Sequence, residues 1–206
     1  MSGRTDQAAQ VHTAGYVAIL LAAGQGARFD PSGLHNKLLQ VLPDGAGVAG
    51  ASASHLLAVV PTVVAVLRPD ADRLAAILQH QACFVTTCPN ANDGMATSLT
   101  HGLRHALALA PDAKGWLIAL ADMPYVQPAT LLALLVALEA GADIAAPLYR
   151  GQRGNPVGFS RRHLPWLLQL QGDQGARSLL KICAVTEVEV DDPGILHDID
   201  TPADLL

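Results

Sequence analysis

The 206-residue chain is short of charge, of lysine and of cysteine, and each shortage excludes something. Only 15% of residues are charged and 50% are apolar, which argues against extended disorder. A chain of this length can also bury a full core without disulfide or metal staples. Thirteen Lys and Arg stand against eighteen Asp and Glu, a net charge of −5. That balance excludes a generally basic nucleic-acid binder but permits a local anion site. Lysine occurs only at Lys37, Lys114 and Lys181. The three cysteines, Cys83, Cys88 and Cys183, form neither a CxxC pair nor a zinc spacing with histidine, and read as idle thiols of a reducing compartment. Long apolar runs are missing as well. The longest uncharged stretch, 45–67, is broken by Gly47, Gly50, Ser52, Ser54, His55 and Pro61, so no membrane span is expected. Residues 1–15 carry Arg4, Asp6 and His12 without the apolar run of a signal peptide, and are expected to form a flexible tail. A soluble, cytoplasmic protein is expected.

No internal repeat, charge block or low-complexity linker divides the chain, which predicts one domain over residues 16–206. Short apolar runs at Tyr16–Leu21, Thr62–Leu67 and 116–121 read as buried strands, with further strands at 83–87, 144–148 and 185–190. Helix-forming composition occupies 71–81, 95–110 and 129–140, bounded by Pro69, Pro111 and Pro128. The alternation predicts an α/β layer fold with a largely parallel sheet. The Gly-, Ala- and Ser-rich segment 43–54 reads as a loop, or as a helix start near Ser52. In such sheets ligands bind beyond the carboxyl ends of the strands, so the residues following each strand matter most.

Two glycines and a cation follow the first strand. Gly24 and Gly26 permit a turn whose amides point inward, Arg28 offers a planar fork to phosphate, and Lys37 adds a point charge nine residues later. The spacing matches neither the dinucleotide fingerprint nor the P-loop. Asp122 stands just beyond a strand and before Met123-Pro124, where a carboxylate needs a cation or hydrogen bonds; it reads as a Mg²⁺ ligand or a helix cap. Asp198 and Asp200 alternate, so an extended segment would aim both the same way, toward a metal, unless Asp200 caps the final turn. Asn92, Asp93, Gly94 and Ser98 precede or open a helix and read as nucleotide contacts or as caps.

Leu21-Ala22-Ala23-Gly24-Gln25-Gly26-Ala27-Arg28-Phe29 followed by Lys37-Leu38-Leu39 resembles the opening signature of nucleotidyltransferases. Further blocks follow in matching order: 92–99, 119–124, 153–157, 172–177 and 198–202. Together they are similar to the molybdenum-cofactor cytidylyltransferase branch of the molybdopterin nucleotidyltransferases, over nearly all of the chain after the tail. The resemblance implies a Rossmann-like three-layer α/β fold with a mostly parallel, mixed central sheet. It implies CMP transfer from CTP to a phosphorylated molybdenum–pterin cofactor, with Mg²⁺ and with release of pyrophosphate. A molybdoenzyme or its chaperone would receive the product. Arg28, Lys37 and Asp122 would be catalytic. Leu21, Ala22, Ala23, Gly24, Gly26, Arg28, Lys37, Asn92, Gly94 and Ser98 would hold the nucleotide, and Asp122, Asp198 and Asp200 the metal. Asn155, Pro156, Asp173, Gly175 and Arg177 would face the acceptor. The choice of CTP rests on Ala23, where guanylyl-transferring relatives usually have Gly. Two other readings stay open: a nucleotidyltransferase for another small phosphate (a GTP-using cofactor relative, or a sugar or alcohol phosphate), and a noncatalytic nucleotide- or cofactor-binding homologue.

Overall fold

A computed structural model describes residues 13–26, 28–32, 35–172 and 175–205. The strands are β1 Tyr16–Leu21, β2 Thr62–Leu67, β3 Phe84–Thr87, β4 Gly115–Leu120, β5 Ile144–Tyr149, β6 Gln152–Arg153, β7 Val157–Ser160 and β8 Thr186–Glu189. The helices are α1 Val48–Leu57, α2 Asp72–His80, α3 Met95–Leu109, α4 Pro128–Glu139, α5 Leu164–Leu167 and α6 Arg177–Ile182. One eight-stranded sheet runs β3-β2-β1-β4-β7-β5-β6, with β8 laid along β5. β1 to β4 pair in parallel, while β7 runs antiparallel to both β4 and β5.

Strand periodicity sorts the core into two layers. On β1, Ala18 and Leu20 belong to the core layer that also holds Ala49 of α1, Leu74 of α2 and Leu131 of α4. Val17 and Ile19 face the opposite side, where Leu99 and Leu103 of α3 and Leu179 of α6 pack. Because helices cover both faces, β1, β2 and β4 read as unbroken apolar runs and are almost wholly buried. The helix in the segment 43–54 begins at Val48, four residues before Ser52. Its physical cause is burial: Val48, Ala49, Ala53 and Leu56 all enter the core, and only folding against the sheet reveals that. β6, β7, α5 and α6 fall where the residues alone announced no element. Thr13–Gly15, read as tail, form a 3₁₀ turn whose Gly15 carbonyl accepts a hydrogen bond from the Lys114 amide at 2.7 Å. The rest of the expected tail lies outside the described residues. The three cysteines are free thiols, and burial pushes Cys83 up to about 11. Among the described residues, no helix is long and apolar enough to cross a membrane.

Backbone bonds draw the loops at the carboxyl edge together. The Ala22 amide donates to Val66 O at 2.9 Å, Ala121 N to Leu21 O at 3.0 Å, and Ile199 N to Asp122 O at 2.8 Å. The last of these ties the distant C-terminal segment to the loop after β4. A buried carboxylate secures the same segment. Asp192, 2% exposed, accepts from Gln127 N at 2.9 Å, Thr130 Oγ1 at 2.7 Å and Gly194 N at 3.0 Å, clamping it to the start of α4. A negative group there also suits the positive end of the helix dipole.

Two stability predictions follow from this packing. A methyl at Gly102 of α3 would stand 2.5 Å from Val66 Cγ2 and 3.0 Å from Ile19 Cγ2. Gly102→Ala is therefore expected to lower unfolding stability by about 1–3 kcal/mol despite its better helix propensity, as read by urea denaturation. Asp192→Ala strips three donors of their acceptor and is expected to cost about 2–4 kcal/mol, with Asp192→Asn costing less. Equal melting of the Ala variant and the parent would refute the clamp.

Candidate active site

The loop after β1 is shaped by its own polar bonds. Gly26 adopts φ +65°, and its carbonyl accepts from Phe29 N at 2.9 Å and Asp30 N at 3.2 Å. Positive φ, rather than lack of room, sets the demand for glycine here, since a Cβ would stand 3.7 Å from Lys37 Cγ. Asp30 gathers Ser32 and His35. Its carboxylate accepts from Ser32 Oγ at 2.5 Å, Ser32 N at 2.8 Å and His35 N at 2.7 Å, and lies 3.0 Å from His35 Nδ1. The Ser32 hydroxyl foremost, then these amides, hold its pKa far below the ordinary carboxylate range. A 3₁₀ turn, Lys37–Leu39, follows, opened by Asn36 Oδ1 accepting from Leu38 N at 2.9 Å. It delivers Lys37 inward, leaving its side chain only 11% exposed.

Lys37 Nζ donates to Asp122 Oδ2 at 2.6 Å and to Asp200 Oδ1 at 3.0 Å. The other oxygen of Asp200 meets Arg28 Nη1 at 2.6 Å. Asp122, Asp198 and Asp200 present carboxylate oxygens all within 4.8 Å of one another. Burial alone would lower the basicity of Lys37, but its hydrogen bonds and charge pairing with Asp122 and Asp200 prevail and raise it, so the ammonium is held. Burial likewise works against ionised Asp200, yet bonding and charge from Lys37, a hydrogen bond with Asp198 and the charge of Arg28 bring its pKa down. Asp198 moves the other way: desolvation, its hydrogen bond with Asp200 and the negative charges of Asp200 and Asp122 raise it. An all-oxygen, acidic donor set of this kind fits a hard divalent cation.

A cleft of about 390 Å³ opens between this ion cluster and the start of α3. All ten residues expected to hold nucleotide, from Leu21 to Ser98, line it, together with Asp122 and Asp200. Of the capping alternatives, the one for the start of α3 holds in position alone. Gly94, at φ +112°, occupies the N-cap of α3 with no side-chain bond, and Asn92 Oδ1 instead accepts from Gln25 Nε2 at 2.9 Å, bridging two walls of the cleft. α4 is capped by Gln127, not Asp122. Asp204, not Asp200, serves the final turn, its Oδ2 accepting from Thr201 N at 2.6 Å and Asp200 N at 3.0 Å. Sequence reasoning passed over Gln25 and Met95, which also line the cleft. Gln25 lay inside the glycine signature and Met95 inside the 92–99 block, but the methionine side chain itself carried no chemical signal.

The residues expected to face the acceptor are divided. Asn155 and Arg177 line a small cavity with Leu21, Met95 and Leu120, three residues shared with the large cleft. Gly175, at φ +51°, packs close to Met95, where a Cβ would come within 2.8 Å of Sδ. Pro156 lines a separate, mostly apolar pocket with Ser52, His55 and Met123, and Asn155 borders that one too. Asp173 lies outside the described residues.

Relatives share this architecture. The family described as MobA-like NTP transferase domain matches residues 18–190. The purine catabolism protein PucB of Bacillus subtilis (strain 168) is 39% identical over 118 residues, 56% of each chain, so this chain spans little more than half the length of that curated relative. Among solved structures, Rv0371c of Mycobacterium tuberculosis H37Rv aligns with a TM-score of 0.78 and 27% identity, covering 93% of this chain and 96% of that one. A structure of Rv0371c in complex with manganese gives 0.72 and 26% over 92% and 95% of the two chains. A nucleotidyl transferase from Methanothermobacter thermautotroptrophicus gives 0.74 and 25% over 92% and 93%. With the family match running across all but the two ends, over a fold these proteins share, this chain belongs to the MobA-like NTP transferase family.

Proposed function

We propose that the chain is a divalent-metal-dependent cytidylyltransferase that moves CMP from CTP to the terminal phosphate of a molybdenum–pterin cofactor. An acceptor phosphate oxygen would attack the α-phosphorus, forming the new P–O bond as the bond to the β-phosphate breaks and pyrophosphate leaves. The observation that carries this reading is the meeting of Lys37, Asp122 and Asp200 at the mouth of the glycine turn, beside a cleft of about 390 Å³.

Such a transfer needs positioning and charge stabilisation rather than a protein nucleophile. In this reading the amides from Ala23 to Gly26 cradle the triphosphate, and Arg28, whose side chain is 77% exposed, swings onto the outer phosphates. Lys37 neutralises charge that grows near the α-phosphate. Asn92, Gly94 and Ser98 contact the base and ribose, while Asn155 and Arg177 meet the acceptor on the far side of Met95 and Leu120. Asp122, Asp198 and Asp200 would hold Mg²⁺, which when bound shields phosphate charge. The manganese complex of the mycobacterial relative supports a divalent ion in this fold. The CTP preference rests on Ala23, a buried residue of the cleft wall whose methyl narrows the approach to the base; one methyl gives limited discrimination.

Lys37→Ala and Asp122→Ala are each expected to keep the fold and to lose about 10²–10³-fold in pyrophosphate release, the usual scale for removing one such electrostatic contact. Near-parental turnover by either purified variant would overturn its assigned role. CTP is expected to outcompete GTP for the magnesium-loaded protein in equilibrium binding, and a clear GTP preference would overturn the base assignment. The decisive assay supplies all four NTPs, magnesium and molybdenum-loaded pterin, and identifies the product by mass. A cytidylylated pterin is expected. Transfer only to sugar or alcohol phosphates, or binding without turnover, would replace the proposal.

A further inference from the structure

Two of the three clustered carboxylates are already committed to protein cations. One ammonium, Lys37 Nζ, reaches Asp122 at 2.6 Å and Asp200 at 3.0 Å, and Arg28 takes the remaining oxygen of Asp200 at 2.6 Å. Asp122 Oδ2 and both oxygens of Asp200 are thus taken, so a divalent ion, which coordinates such oxygens at about 2.0–2.6 Å, must compete for them or rely on Asp122 Oδ1 and Asp198 alone. An ion at that distance and an ammonium at hydrogen-bond distance cannot share the same lone pairs. Their like charges would also repel at so short a distance.

The two cations differ in their freedom to leave. The Arg28 side chain is 77% exposed and can swing into solvent, whereas that of Lys37 is 11% exposed. The Lys37 stem runs beside Gly26, and both line the cleft, so the cleft along the glycine turn is open to its ammonium. A displaced ammonium there needs a new anionic partner, because moving an unpaired charge into a partly buried place is costly. Triphosphate oxygens lying along the same turn would supply one.

We infer that Lys37 is a resident counter-ion that keeps divalent metal out of the Asp122–Asp198–Asp200 cluster until nucleotide phosphates draw it away, so that metal and triphosphate enter as a coupled pair. The inference rests on the reading of these carboxylates as a metal site. It adds that free metal binds weakly, that nucleotide strengthens metal binding beyond its own chelation, and that one lysine serves the carboxylates and the phosphates in turn.

The test is Mn²⁺ alone, titrated by calorimetry and by the electron paramagnetic resonance of free Mn²⁺, without nucleotide and at fixed pH and ionic strength. Lys37→Met, which keeps the length of the stem and removes its charge, is expected to bind Mn²⁺ at least tenfold more tightly than the parent. Arg28→Met is expected to change the affinity less than threefold. Lys37→Met combined with Asp122→Asn is expected to lose the gain. Thermal melting gives an independent reading: Mn²⁺ should raise the midpoint of Lys37→Met by more than that of the parent, and Lys37→Gln serves should the Met variant fold poorly. Equal Mn²⁺ affinity for parent and Lys37 variants overturns the counter-ion role while leaving the carboxylates a metal site. Absence of Mn²⁺ binding in every variant, with the fold intact by circular dichroism, overturns the metal site and the inference with it.

Discussion

One ammonium group draws three remote parts of the chain to a point. Lys37 Nζ binds carboxylates 85 and 163 residues further along, one at the end of a central strand and one near the C-terminus. Without a cation there, Asp122, Asp198 and Asp200 would stand with oxygens within 4.8 Å of one another and only their mutual repulsion between them. The opposing pKa movements of Asp198 and Asp200 show how unevenly that crowding is relieved: Asp200 has Lys37 and Arg28, whereas Asp198 has mainly negative neighbours. The site is thus an acidic cluster made tolerable by basic residues, and the same balance suits it to ligands that bring both phosphate and metal.

The sheet makes this meeting possible. β1 and β4 are adjacent and parallel, so the loops that leave their carboxyl ends begin side by side. The C-terminal segment joins them through the Ile199 amide on Asp122 O, and Asp192 fastens the same segment to the start of α4 by two hydrogen bonds while a third holds its own turn at Gly194. A carboxylate that touches no part of the cleft therefore governs where Asp198 and Asp200 stand. α3 closes the opposite wall. Its near contact with β1 and β2 at Gly102 brings its N-terminal turn, with Gly94 and Ser98, onto the glycine loop.

Legibility followed the strength of the physical signal. β1, β2 and β4 were plain because strands covered on both faces carry uninterrupted apolar runs. The start of α1 was hidden because Val48-Ala49-Gly50-Ala51 has weak helical periodicity and becomes helical by burial. β7 was hidden because four residues of ordinary composition pair antiparallel between β4 and β5, a choice that rests on partners far away in sequence. At the site, Asp122 stood out as a carboxylate directly after a buried strand. Met95 did not, since nothing local distinguishes a cleft-wall methionine from a core one.

Residue order and composition by themselves determined the α/β class, the strands at the heart of the sheet and the glycine–arginine–lysine loop at its carboxyl edge, because these depend on local periodicity and on neighbours in the chain. Tertiary structure alone decided that Lys37 lies between Asp122 and Asp200, that Asp204 rather than Asp200 serves the last turn, and that Pro156 lines a pocket apart from Arg177. Those facts concern distances between groups widely separated along the backbone. Such distances are set by how helices and strands pack, where a shift of one or two ångströms separates an ion pair from two unpartnered charges.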